Sequence, residues 1–346
     1  MRIEIASITQ RGAELAAKLA EQLRAQGEDA RAWGNARYAH QTGVAPMSSA
    51  ASWAKQTFPI ADALIFVGAT GIAMRSIAPL LRSKITDPAV ISMDETGRFA
   101  VALVSGHVGG ANRLARQIAA LTGGQAVVST ATDVNDLFSV DEWIARSGMA
   151  LVNPHAVRAF AAALLDGQTV GLSSEFAVES TLPEGIELMQ SGVVGLHVDV
   201  HRTFPFESTV CAIPRIITLG IGCRRGISSE AIEEAVALAL EKENIHPESL
   251  CGVASIDLKR DEAGLLAYCE QHKLPIRFYS ASELSTVPGE FTASERVLSV
   301  TGVDNVCERA AVRSGGKLIA RKFAHNGVTV ALAMSDFYLS FEGECI

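Results

Sequence analysis

A multidomain α/β fold is what this 346-residue sequence predicts. Three observations carry that expectation: apolar strand-like runs alternate with segments of helical periodicity, several of those runs end in glycine-rich bends, and the length suffices for two or three separate cores. Residues 3–8 read as a first strand, and Leu15, Leu19 and Leu23 recur at helical spacing within 12–26. Residues 33–49 read as loop. Ala63–Val67 is a short apolar strand that enters the bend Gly68-Ala69-Thr70-Gly71, and a helix over 73–81 follows, with Pro79 marking a kink or an early end. Residues 90–93 and Phe99–Val104 read as a strand pair about Asp94-Glu95-Thr96-Gly97. The helix predicted over 110–121 buries Leu114, Ile118 and Leu121, stops at Gly123-Gly124, and precedes a strand over 126–129.

The composition changes after Thr132. A short capped helix over 139–146, a longer one over 154–165 and strand-like pieces at 169–172 and 193–200 suggest a smaller middle region, with the weakly patterned 202–210 as the linker. Beyond it, 216–219 enters Gly220-Ile221-Gly222-Cys223-Arg224-Arg225-Gly226, Ser228 caps a helix over 229–241, and strands at 252–256 and 275–279 alternate with helices over 264–272 and 303–314. The final strands, 317–324 and Val328–Met334, flank His325-Asn326-Gly327, where Asn-Gly is a strong hairpin signal. The expected domains are therefore 1–131 and 211–346, both α/β, with 132–210 as a middle domain or linker region. In such folds ligands bind beyond the carboxyl ends of the strands, where these bends fall.

The composition narrows the function classes. The net charge of −8 argues against a general nucleic-acid binder. An apolar fraction of 48% without a run long enough to cross a bilayer argues against a membrane protein. The amino terminus reads as a strand rather than a secretion signal, so the cytoplasm is the expected compartment. The six cysteines are too sparse for a disulfide scaffold and form no close pair of the kind zinc sites use, and the eight histidines are dispersed, so no protein metal site is expected. The bend at 220–226 is neither the dinucleotide-binding glycine fingerprint nor a P-loop, which argues against NAD or ATP chemistry.

Three bends are candidate sites. Gly68, Thr70, Gly71 and Arg75 form the first; Ser105, Gly106, His107, Gly109, Gly110, Asn112 and Arg113 the second; Gly220, Gly222, Cys223, Arg224, Arg225 and Gly226 the third. Each pairs glycines, which permit close backbone approach, with arginines suited to an anionic ligand. Cys223 stands where a thiolate would be stabilised, although a small residue fitted into a tight bend is the preferred account.

With those residues placed, the chain resembles the cobalt-precorrin-5A hydrolase family of anaerobic cobalamin biosynthesis over nearly its full length. The resemblance rests on Gly68–Arg75, Ser105–Arg113, Thr132-Asp133-Val134-Asn135, Ser139–Trp143, Gly220–Gly226 with Ser228-Ser229, and Ser314-Gly315-Gly316-Lys317, in that order. It implies a hydrolase acting on a carbon–carbon bond: the δ-lactone of a cobalt corrinoid is opened and a two-carbon unit leaves as acetaldehyde, giving cobalt-precorrin-5B. The cobalt arrives inside the substrate, so no separate cofactor is implied. The alternative is a non-catalytic protein that binds or scaffolds a corrinoid intermediate.

Lactone hydrolysis needs a base for water and donors for the developing oxyanion. His107 is the first choice for proton transfer, with Asp133, Asp141 and Glu142 as alternative bases and Ser105 as a less favoured nucleophile, since it lacks the nucleophile-elbow setting. A homodimer is expected only from the general frequency of twofold assemblies, and transient contacts with neighbouring pathway enzymes would suit an unstable intermediate.

Overall fold

The computed structural model describes residues 1–83, 86–106, 109–130, 134–135 and 137–342. It is a mixed α/β protein in which the described residues form three sheets and twelve α-helices. The chain divides into two compact units, Met1–Glu142 and Trp143–Ile346. No helix of the described residues is long and apolar enough to cross a membrane.

The amino-terminal unit is built on one seven-stranded sheet. β1 (Arg2–Ser7) lies between β2 (Asp29–Asn35) and β4 (Ala63–Val67), with β3 (Ala45–Met47) outside β2 and β5 (Ala89–Met93), β6 (Phe99–Val104) and β7 (Gln125–Val127) continuing beyond β4. β1 to β5 are parallel, whereas β6 runs antiparallel to β5. Helix α1 (Gln10–Ala25) starts where the Thr9 hydroxyl accepts the Gly12 N–H at 3.1 Å, and it buries Leu19 and Leu23 against Ile3, Ile5 and Ile65. Leu64 and Phe66 point to the other face, against Trp53 and Ile77. Burial on both faces explains why β4 reads as an unbroken apolar run.

Residues 33–49, expected as loop, instead hold the end of β2, helix α2 (Ala36–Thr42) and β3. These pieces are too short for a periodic signal; Trp33 is held by its indole N–H donating to the buried Glu4 carboxylate at 2.5 Å. Helix α3 (Ala50–Thr57) also lies in this unit, and α4 (Thr70–Ile77) gives way to a short 3-10 turn containing Pro79.

The second unit contains two five-stranded sheets. The first has the order β10 (Ile186–Leu188), β9 (Val170–Ser174), β11 (Gly192–Val198), β12 (Phe206–Ile213), β8 (Ala150–Leu151). The stretch 202–210, expected as a linker, therefore carries the start of a strand. Phe206 is buried on two strands that leave room for it: an added Cβ at Gly171 or Gly195 would meet its ring at 2.3 and 2.5 Å.

The last sheet has the order β15 (Ile276–Tyr279), β14 (Leu250–Ile256), β13 (Ile217–Cys223), β17 (Val328–Met334), β16 (Lys317–His325). β13, β14 and β15 are parallel, and β17 is antiparallel to β13 and to β16. The β16–β17 hairpin turns at Asn326 and Gly327, both with positive φ (44° and 86°), as the Asn-Gly signal requires. Ile217, Leu219 and Ile221 face the cluster containing Ile232, Val236, Leu265 and Tyr268. Gly220 faces the opposite side, against the helix Cys307–Gly315.

Candidate functional site

The two amino-terminal bends do not converge. Gly68 follows Val67, which pairs with Met93, and the Gly68 N–H donates to the Met93 carbonyl at 2.7 Å. Ser105 follows Val104, which pairs with Val90 near the other end of β5. Because β6 runs antiparallel, its carboxyl end lies at the edge where β1, β4 and β5 begin. The bends are separated by the length of β4, roughly 13 Å at 3.3 Å per residue. Arg113 reaches Met1 at that lower edge, its Nη2 lying 3.3 Å from the sulfur, whereas Arg75 folds back toward Gly71 at the upper one.

The described residues of the second bend are largely engaged with one another. Ser105 adopts φ 59° and its hydroxyl donates to the Asp87 carbonyl at 2.9 Å; the residue is buried. Its own carbonyl and that of Gly106 accept the N–H groups of Ala111 and Asn112, at 3.1 and 3.0 Å, which are the first donors of the helix Ala111–Thr122. Gly109 packs on Ser105 and Gly106 on Asn112, whose amide reaches Thr130 at 3.0 Å. In the first bend, the Thr70 hydroxyl meets that of Ser92 at 2.9 Å. His107 and Asp133 lie outside the described residues. Asp141 and Glu142 open the helix Val140–Arg146, where Asp141 accepts the Ser139 hydroxyl at 3.0 Å.

The third bend opens onto a cavity of about 850 Å³ within the second unit, at the upper end of the roughly 300–1,000 Å³ range of small-molecule pockets. Gly222, Cys223, Arg224 and Arg225 form one side of it. Lys259 arrives from beyond β14, Arg296 from the helix Glu295–Thr301, and Lys322 and His325 from β16. Sequence reasoning missed these four because they come from separate elements. Lys322 and His325 could have been found as neighbours of the Asn-Gly turn.

The bend also serves the fold. An added Cβ at Gly220 would lie 1.8 Å from the Cys307 carbonyl oxygen, so glycine is required for the strand and helix to meet. The Gly226 N–H donates to the buried Glu262 carboxylate at 2.7 Å, and the Arg224 N–H to the Gly327 carbonyl at 3.0 Å. Arg225 pairs with Asp261 at 3.1 Å, both strongly exposed. Burial pushes the Cys223 thiol up to about 11 despite nearby Lys259, so it is not a stabilised thiolate. The cavity wall thus offers cations, apolar surface and the protonated Cys223 thiol.

These features define a multidomain α/β protein whose second unit holds a cavity lined by basic and apolar side chains. Two family models match it, cobalamin synthesis G N-terminal over residues 52–133 and cobalamin synthesis G C-terminus over 217–333. The cobalt-precorrin-5A hydrolase of Salmonella typhimurium is 32% identical over 305 residues, covering 82% of this chain and 85% of that protein. The cobalt-precorrin-5A hydrolase of Priestia megaterium is 29% identical, covering 79% of each. Protein CobE of a Sinorhizobium species is 32% identical over 121 residues, 34% of this chain and 79% of its own length. The chain belongs to the cobalt-precorrin-5A hydrolase family.

Proposed function

We propose that this protein is a cobalt-precorrin-5A hydrolase, with the cobalt carried in by the corrinoid and no separate cofactor. The observation that carries the reading is the 32% identity to a hydrolase of that name, sustained over 85% of its length. The cavity supports it, since a macrocycle rimmed by carboxylates calls for apolar surface interspersed with cations.

In this reading water adds to the lactone carbonyl as its proton passes to a base. The ring oxygen leaves as a hydroxyl on the two-carbon substituent, and the acyl group becomes a carboxylate. Removal of that hydroxyl proton then breaks the carbon–carbon bond: the carbonyl of acetaldehyde forms and the electron pair enters the conjugated ring. His107 carries the proton transfer, with Asp133, Asp141 and Glu142 as the alternative bases. Direct attack by water is preferred to a covalent ester, because the Ser105 hydroxyl is committed to the Asp87 carbonyl. Arg75 and Arg113 stand at different edges of the sheet, so they reach different parts of a ligand.

An anaerobic single-turnover assay with cobalt-precorrin-5A tests the reading, with acetaldehyde and corrinoid mass followed together. Acetaldehyde release with loss of the matching two-carbon mass is expected, and His107→Ala should retain binding but lose conversion. Tight binding by folded wild type without conversion would overturn the hydrolase in favour of a corrinoid carrier.

A further inference from the structure

We propose that the cavity of the second unit is a capture site that reads the free carboxylates of a corrinoid ring, and so discriminates against rings whose side chains are capped as amides. The inference rests on the corrinoid reading above and names the part of the molecule that does the recognising.

The first argument is charge. In a chain with 38 acidic and 30 basic residues, the 22 described residues lining this cavity include five Lys or Arg, one His and no Asp or Glu. The charged residues of the lining itself are thus all basic, and their acidic partners lie outside it. Lys259 pairs with the buried Glu262 at 3.1 Å, Arg225 with Asp261 at 3.1 Å and His325 with Glu234 at 3.2 Å. Among the described residues, Arg224, Arg296 and Lys322 have no ion-pair partner. Like charges gathered without partners oppose folding, and a polyanionic ligand would relieve that repulsion.

The second argument is arrangement. The three unpartnered cations come from three separate elements of the lining: the β13 bend, which lies against the hairpin turn at Gly327, a helix and a hairpin strand. Several cations supplied by separate elements suit a ligand that carries several carboxylates. Between them the wall is apolar, and two of its side chains are unusually open for large hydrophobic residues: Val300 is 72% and Leu258 50% exposed. Covering them with the face of a macrocycle would remove apolar surface from water. Cys223, half-buried on this wall, carries a thiol that burial pushes up to about 11 and so keeps protonated.

Equilibrium titration of the full chain with two stable probes tests this: cobyrinic acid, a cobalt corrin with free side-chain carboxylates, and cobinamide, in which those groups are amides. Cobyrinic acid should bind at least tenfold more tightly, and its affinity should fall as salt is raised. The double variant Arg224→Ala/Lys322→Ala should lose about a hundredfold, at roughly tenfold per charge-assisted contact, while Arg215→Ala, whose exposed partner is Glu248, should match wild type. A thermal melt establishes that the double variant is folded, and Arg224→Lys should recover part of the affinity. Equal binding of the two probes, or an unchanged affinity in the folded double variant, overturns the capture site while leaving the hydrolase reading intact if wild type still releases acetaldehyde. Cation-dependent binding by a wild type that releases none upholds the capture site and removes the hydrolase.

Discussion

The two units treat similar sequence devices in opposite ways. In the second unit the bend after β13, the hairpin turn and the helix carrying Arg296 come together around one cavity. In the first, the bends at 68–71 and 105–110 look equally alike in sequence yet leave opposite edges of one sheet, because β6 reverses direction against β5. A glycine bend after an apolar strand therefore marks a strand end, and the direction of that strand decides which end.

The comparison breaks first at Gly220, where glycine serves packing. Gly220→Val should cost about 3 kcal/mol or more through overpacking against the Cys307 carbonyl, seen as a large fall in the melting temperature of the second unit. A near-neutral result would mean that the strand and helix can separate, and the cavity wall would need redrawing.

Alkaline pH should separate the units next. Cys211, Cys223, Cys269 and Cys307 are each raised by burial from 9.0 to about 11, and all lie in the second unit. A raised folded value stabilises the protein below the unfolded value and is lost as pH climbs through the folded one. The second unit should weaken between about pH 9 and 11, with Trp143 fluorescence changing before that of Trp33 and Trp53. Simultaneous change in all three would show that the units unfold as one.

Ser105→Ala should lower stability by about 1 kcal/mol, the worth of one hydrogen bond to Asp87, and leave single-turnover conversion unchanged. A collapse of conversion in a folded variant would restore the covalent route. The smallest expected effect concerns the two exposed arginines at opposite edges. The binding losses of Arg75→Ala and Arg113→Ala should add to within about 0.5 kcal/mol, whereas coupling beyond that would mean one ligand group bridges both edges.

Much of this was legible along the chain. Ala63–Val67, Phe99–Val104 and Val328–Met334 were readable to the residue, since each is an apolar run closed by turn chemistry. The pair β2 and β3 and the strand Phe206–Ile213 were not, because short or mixed strands are stabilised by what lies across from them: Glu4 beneath Trp33, and two glycines beneath Phe206. Of the cavity, Gly222 to Arg225 could be named from a single bend, whereas Lys259, Arg296, Lys322 and His325 could not be assigned to it without the sheet order.

By itself the sequence determined the α/β class, the positions of the bends and the family to which the chain belongs, because periodicity, turn chemistry and ordered motifs are local properties. Only the tertiary structure decided which bends share a space. Strand direction and sheet order are set by packing between residues far apart in the chain, and they gathered unpaired cations around one cavity while parting Arg75 from Arg113.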